Sequence, residues 1–153
     1  NDTKINNVLF SPDDRSALVV IDLDTVMPGL MGHDFGDAIR FAANRCEEDC
    51  PDPSKAGVDM DVFRTFAEGF LEKTAQAMTQ EEEDTLAISC FCLTMELAVR
   101  FLGDYLEGDP YFKTLYPEHN LVRTRCQIAL AKDMLARREA MKQIVRECLA
   151  QYK

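Results

Sequence analysis

Asn7-Val8-Leu9-Phe10, then Ser11-Pro12-Asp13-Asp14-Arg15, then Ala17-Leu18-Val19-Val20-Ile21-Asp22: the fold class turns on this stretch. Two short apolar runs rich in β-branched residues flank a segment of turn composition, which predicts a β-hairpin. The second run is apolar without alternation, as expected of a strand buried on both faces. A two-stranded hairpin is marginal alone, so it should lie against helices or against strands outside this sequence.

Downstream the pattern turns helical. After Pro28, Gly29 and Gly32, Asp34 is placed to cap a helix over about 35–45 with Phe35, Ile39 and Ala42 on one side. Residues 46–57, acidic and holding Pro51 and Pro53, read as a surface loop. Phe63, Phe66, Ala67, Phe70, Leu71 and Thr74 recur at helical spacing. Thr79 and Glu82 form a capping box for a helix over about 80–107, apolar nearly all round between Leu86 and Leu102 and so expected at the core. Gly108-Asp109-Pro110 breaks it, and a final long helix is predicted over about 119–150 with Met134, Met141, Val145, Cys148 and Tyr152 on its buried stripe. The expected architecture is α+β and mainly helical, a short hairpin plus a helical bundle. It divides into residues 1–33, with the hairpin, and residues 34–153, the helical part.

Composition narrows the function classes. The 153 residues hold 17 Lys and Arg against 27 Asp and Glu, a formal charge of −10. That balance argues against sequence-independent nucleic-acid binding and against a polybasic membrane patch. No apolar run is expected to span a bilayer and no secretory signal is read, so the expected location is cytoplasmic. The six cysteines are too sparse for a stapled scaffold and read as reduced thiols, with Cys90, Cys92 and Cys126 among apolar residues. Cys46 and Cys50 are spaced like neighbours on a helical turn, but no second pair completes a zinc set.

The polar residues at the hairpin converge. Asp2 precedes the first strand, Asn7 begins it and Asp22 ends its partner, so a register that brings the open ends together gathers all three. Asn7 and Asp22 offer the hard oxygen ligands that Mg²⁺ prefers, with water and phosphates completing its shell, and Asp2 offers a carboxylate able to accept a proton. The chain opens at Asn1-Asp2 almost directly into this strand, which reads as a fragment of something longer.

These residues also carry a family resemblance. Asn1-Asp2-Thr3-Lys4-Ile5-Asn6-Asn7 resembles the catalytic loop H-x-D-x-x-x-x-N of the protein-kinase-like aminoglycoside and choline phosphotransferases, the His falling just before Asn1. Val20-Ile21-Asp22 resembles the strand that ends in that family's metal-binding Asp, and His33-Asp34-Phe35-Gly36-Asp37 the helix-opening motif after it. Ile21-Asp22-Leu23-Asp24-Thr25-Val26-Met27-Pro28-Gly29, Asp34-Phe35-Gly36-Asp37-Ala38-Ile39-Arg40-Phe41, Tyr111-Phe112-Lys113 and Pro117-Glu118-His119-Asn120-Leu121 are similar to the N-acetylhexosamine 1-kinase branch.

The resemblance implies the C-terminal lobe of a kinase whose N-terminal, nucleotide-binding lobe lies outside this sequence. It implies ATP as co-substrate, Mg²⁺ as cofactor and a sugar as acceptor, through the anomeric hydroxyl of an N-acetylhexosamine. Asp2 would be the catalytic carboxylate, Asn7 and Asp22 would hold the metal, and Asp34 would brace the catalytic loop. Asp24 stands open between metal, substrate and loop support.

Sugar recognition is expected from the helical part. Arg100, between Val99 and Phe101, needs hydrogen-bonding partners or a route to solvent. It either reaches sugar oxygens or makes a structural salt bridge to Asp34 or Asp37. Tyr111 either lines the same cleft or simply packs. His33 and His119 read as capping or packing residues. Sulfate-ester hydrolysis is excluded, because Cys50-Pro51-Asp52-Pro53-Ser54 lacks the C/S-x-P-x-R pattern of formylglycine sulfatases. The alternative to the kinase is a non-catalytic helical interaction or sugar-binding module.

Overall fold

The computed structural model describes residues 7–14 and 16–153. They are mainly helical, with five α-helices and a two-stranded antiparallel sheet. Strands β1 (Val8–Phe10) and β2 (Ala17–Val20) form the hairpin. Val8 faces Val20 and Leu9 faces Val19, but Phe10 faces Ala17, so Leu18 is an extra residue, a bulge that sharpens the local twist. Asp14 shapes the turn, its carboxylate accepting the Ser16 amide and hydroxyl at 3.0 and 2.8 Å. The expected two-sided burial of the second strand is not met: Leu18, Val19 and Val20 are 64%, 49% and 55% exposed. Among the described residues no helix packs extensively on that strand, and its apolar side chains stay largely open to solvent.

Helix α1 (Met31–Ala42) starts four residues earlier than the capping pattern predicts, and Asp34 lies inside its first turn. The reason is a cap from a distant residue. Glu82, 51 positions away, accepts the Met31 amide at 3.2 Å and so satisfies a donor at the helix start that local sequence leaves open. Phe35 and Ile39 are buried as expected, but Ala43 takes the place assigned to Ala42, which is exposed.

Residues 44–58 form the irregular loop expected from composition, pinned at its base by a bridge between Asn44 and Val58. Cys46 and Cys50 therefore lie in a loop and not on a helical turn. Helix α2 (Met60–Thr74) is capped by Asp59, whose carboxylate accepts the Asp61 and Val62 amides, and it buries Phe63, Ala67 and Leu71. Phe35 is the hub of this region, with ring centroids 5.8, 5.8 and 5.2 Å from Phe63, Phe66 and Phe70. Tilted and edge-on ring contacts of this kind add about 0.5–1.5 kcal/mol each to the burial.

Helix α3 (Gln80–Leu106) begins at the Thr79–Glu82 capping box. It packs against α1, and glycine sets how closely: a Cβ on Gly36 would meet the Ser89 carbonyl oxygen at 2.8 Å, and one on Gly32 would meet Ser89 Cβ at 3.0 Å. The helix is not buried all round. Val99 and Leu106 are exposed, as is Cys92, which was expected among apolar neighbours. By length and composition α3 is also apolar enough to cross a membrane, contrary to the sequence expectation. In this fold it is the helix against which both α1 and α4 lie.

The predicted final helix is two. Helix α4 (His119–Ala136) and helix α5 (Arg138–Tyr152) meet at Arg137, whose backbone leaves the helical region at φ −96°, ψ 5°. No Pro or Gly marks the break. The cause is tertiary: α4 packs along α3, whereas α5 packs mainly on α2. Asp133 locks the corner by accepting Arg137 Nε at 2.9 Å and the Val58 amide at 2.8 Å.

Candidate functional site

The open end of the hairpin brings the backbones of the two expected metal-binding residues into the same neighbourhood. The Ile21 amide donates to the Asn7 carbonyl at 2.8 Å, so Asn7 stands across from Ile21 and next to Asp22. Asp22 adopts left-handed backbone angles, φ 59° and ψ 56°, and opens a single 3₁₀ turn, Leu23–Thr25. A non-glycine residue there is strained, and Asp is one of the few types that tolerate it. Asp22 and Asp24 are exposed and Asn7 is half-buried. Asp2 lies outside the described residues, and so does most of the loop that Asp34, half-buried in α1, is expected to brace.

The same turn leads to a cleft. Thr25 lines a cavity of about 810 Å³ together with His33, Asp37 and Arg40 of α1, Glu96, Arg100 and Phe101 of α3, the 111–113 loop and Arg123 of α4. Arg100 and Tyr111 are both there: the Arg100 guanidinium lies 5.7 Å from the Tyr111 ring centroid and 5.4 Å from that of Phe112. Both side chains are exposed at the cleft. The ion pair on Asp37 is made by Arg40, at 2.9 Å, rather than by Arg100. An exposed guanidinium beside an exposed aromatic ring suits a polyhydroxylated ligand, since the fork donates to oxygens while a ring face covers C–H groups.

Sequence reasoning missed the floor of this cleft. Arg40, 6% exposed, donates to Asp37 and, at 2.7 Å, to Glu48. The second Glu48 oxygen lies 3.7 Å from Arg123. Arg123 donates to Asn120 Oδ1 at 3.0 Å and rests over the Phe101 ring. Asn120 in turn donates to Asp104 at 2.9 Å and to Asp109 at 2.8 Å. Asp104 accepts the Tyr111 and Phe112 amides, so the network ends on the loop that carries the cleft's aromatic ring. The turn before that loop needs left-handed backbone at Gly108 and Asp109, φ 91° and 57°, which the Gly-Asp pair supplies at low cost. The Asp37–Arg40 spacing was a legible signal. Glu48, inside an acidic loop, carried none.

A second cavity, about 910 Å³, lies behind the 44–51 loop. His119, 1% exposed, accepts the Leu115 amide at Nδ1 and holds Nε2 3.2 Å from Asp49. Its ring stacks on Tyr116, whose hydroxyl donates to the same carboxylate at 3.2 Å. Burial first and the Asp49 charge second push the Tyr116 phenol up from its ordinary value. His119 is thus a positioned structural residue at the start of α4.

Among the described residues no group of three or more His, Cys, Asp or Glu is gathered to cage a metal ion. Mg²⁺ does not require one, since it commonly takes one or two protein oxygens and completes its octahedron with water and phosphate. Asn7 and Asp22, close along the backbone at the hairpin's open end, carry oxygens of the type it takes. No family model matches this chain.

Proposed function

We propose that this chain is the acceptor-binding, C-terminal lobe of a longer ATP-dependent sugar kinase, which transfers a phosphoryl group to the anomeric hydroxyl of an N-acetylhexosamine. The observation that supports this most is the continuity of one short segment: Asp22 starts the turn whose last residue, Thr25, lines the cleft of Arg100 and Tyr111. A phosphate-side group and an acceptor-side cleft are thereby neighbours, as in-line transfer requires.

In this reading Asn7 and Asp22 hold Mg²⁺, which when bound neutralises phosphate charge. Asp2 orients the acceptor hydroxyl and takes its proton at the carboxylate oxygen. Arg100 donates to hydroxyl or acetamido oxygens, and Tyr111 covers a sugar face. Asp24 extends from the turn between the two regions and serves the substrate side. Asp34 braces the loop that carries Asp2. In this proposal the nucleotide is held by an N-terminal lobe of the longer protein, and neither nucleic acid nor a membrane is a partner.

The test is ATP consumption by the full-length kinase over a panel of sugars, repeated with Asp2→Asn. Turnover with N-acetylglucosamine or N-acetylgalactosamine that Asp2→Asn abolishes supports the reading, and unchanged phosphorylation by that variant contradicts it. A second reading, a sugar-binding module without catalysis, is favoured by one observation: apart from Thr25 and His33, the cleft is walled by the helical part alone. Sugar binding without ATP consumption by the full-length protein selects it.

A further inference from the structure

Three of the six thiols meet behind the 44–51 loop. Cys46 Sγ and Cys126 Sγ are 3.9 Å apart, in van der Waals contact, although 80 residues separate them in sequence. Cys50 is close enough to interact with Cys46, while its own sulfur donates to the Asp52 carbonyl at 3.4 Å. Cys126 is fully buried on α4. It donates to the Glu47 carbonyl at 3.5 Å and accepts from Asn44 Nδ2 at 3.8 Å. Cys46 is half-buried, sits in the irregular loop and lines the 910 Å³ cavity, through which a small oxidant can reach it.

We propose that Cys46 and Cys126 form a reversible intrachain disulfide that fastens the 44–58 loop to α4. A disulfide needs its sulfurs about 2.05 Å apart, so they must approach by roughly 2 Å. One partner is fixed on a helix and the other stands on a loop that can yield, which makes the approach feasible. Burial, followed by the neighbouring thiols, pushes the Cys46 thiol up to about 12, so the contact at neutral pH is between two neutral thiols.

A hydroperoxide supplies the two oxidising equivalents. The small ionised fraction of Cys46 takes one peroxide oxygen to give a sulfenic acid, and the other oxygen takes up a solvent proton and leaves as water. Cys126 sulfur then attacks the sulfenic sulfur, the S–S bond forms, and a second water leaves with the thiol proton. The fastener acts near the cleft. Cys46 is two residues from Glu48, which joins Arg40 to Arg123. This inference does not depend on the kinase reading.

The experiment treats the chain carrying Cys92→Ser, which removes the exposed thiol, with hydrogen peroxide. Free thiols are alkylated and peptides mapped, before and after dithiothreitol. The expected result is a single Cys46–Cys126 cross-linked peptide that dithiothreitol removes, with a thermal midpoint raised by roughly 5–10 °C. Cys46→Ser, at a half-buried loop position, should lose both the link and the rise, and Cys50→Ser should keep both. A Cys46–Cys50 link in place of the expected one, or Cys126 still alkylated after oxidation, overturns the proposal.

Discussion

The Asp104 carboxylate, buried in α3, accepts the Tyr111 amide at 2.9 Å and so ties the core of the helix bundle to the exposed ring of the cleft. Its other oxygen takes the Phe112 amide and Asn120 Nδ2. Asp104→Ala strands three buried or half-buried donors. It should lower stability by about 2–4 kcal/mol in urea denaturation and loosen the 111–113 loop. Asp104→Asn, which keeps one acceptor oxygen, should cost less.

Arg100→Ala should separate binding from folding. The guanidinium is exposed and rests on two rings, so the denaturation midpoint should move little. If it donates to sugar oxygens, as the proposed function has it, the KM of the full-length protein for a sugar acceptor should rise by about tenfold or more, because a charge-assisted hydrogen bond is worth about 1.5–3 kcal/mol. Sugar titrations followed by calorimetry measure this directly.

The α1–α3 contact is set by a glycine, and Gly36→Ala tests it. The added methyl would meet backbone, the Ser89 carbonyl oxygen at 2.8 Å, which cannot rotate away. Stability should fall by about 1–3 kcal/mol despite the better helix propensity of Ala. A variant as stable as the parent would mean that the helices can separate freely.

Glu82 serves two helix starts, since its carboxylate accepts both the Thr79 and the Met31 amides. Thr79→Ala should cost about 1 kcal/mol, the usual value of a cap, and Glu82→Ala should lower the urea midpoint further because α1 loses its cap as well. These amides hold the folded-state carboxylate below its ordinary value. A lowered folded value means that the ionised group stabilises fully above the unfolded-state value and loses that effect as pH falls through the folded one. The midpoint difference between the parent and Glu82→Gln should therefore be flat at neutral pH and shrink on the acid side.

Local signals in the sequence were enough for α2, whose aromatic residues recur at helical spacing, and for the start of α3, where Thr79 and Glu82 satisfy each other. They were enough for the hairpin too, because Pro12 and the Asp-rich turn separate two β-branched runs. They failed where a distant partner decides. The start of α1 depends on Glu82, 51 residues on, and the break at Arg137 depends on α4 and α5 packing against different helices. The site divides the same way. Asn7, Asp22, Arg100 and Tyr111 were visible as residue types in a pattern. The Arg40–Glu48–Arg123 network was not, because nothing in a run of acids distinguishes the one that folds under a cleft.

The most direct test of the proposed function is phosphoryl transfer by the full-length protein and its Asp22→Asn variant, assayed as sugar phosphate formed from N-acetylglucosamine or N-acetylgalactosamine with ATP and Mg²⁺. Asn tolerates the left-handed backbone at this position, so the turn should survive while the carboxylate is lost. The account predicts a fall in turnover of about a hundredfold or more with sugar affinity retained. Turnover equal to that of the parent would contradict it.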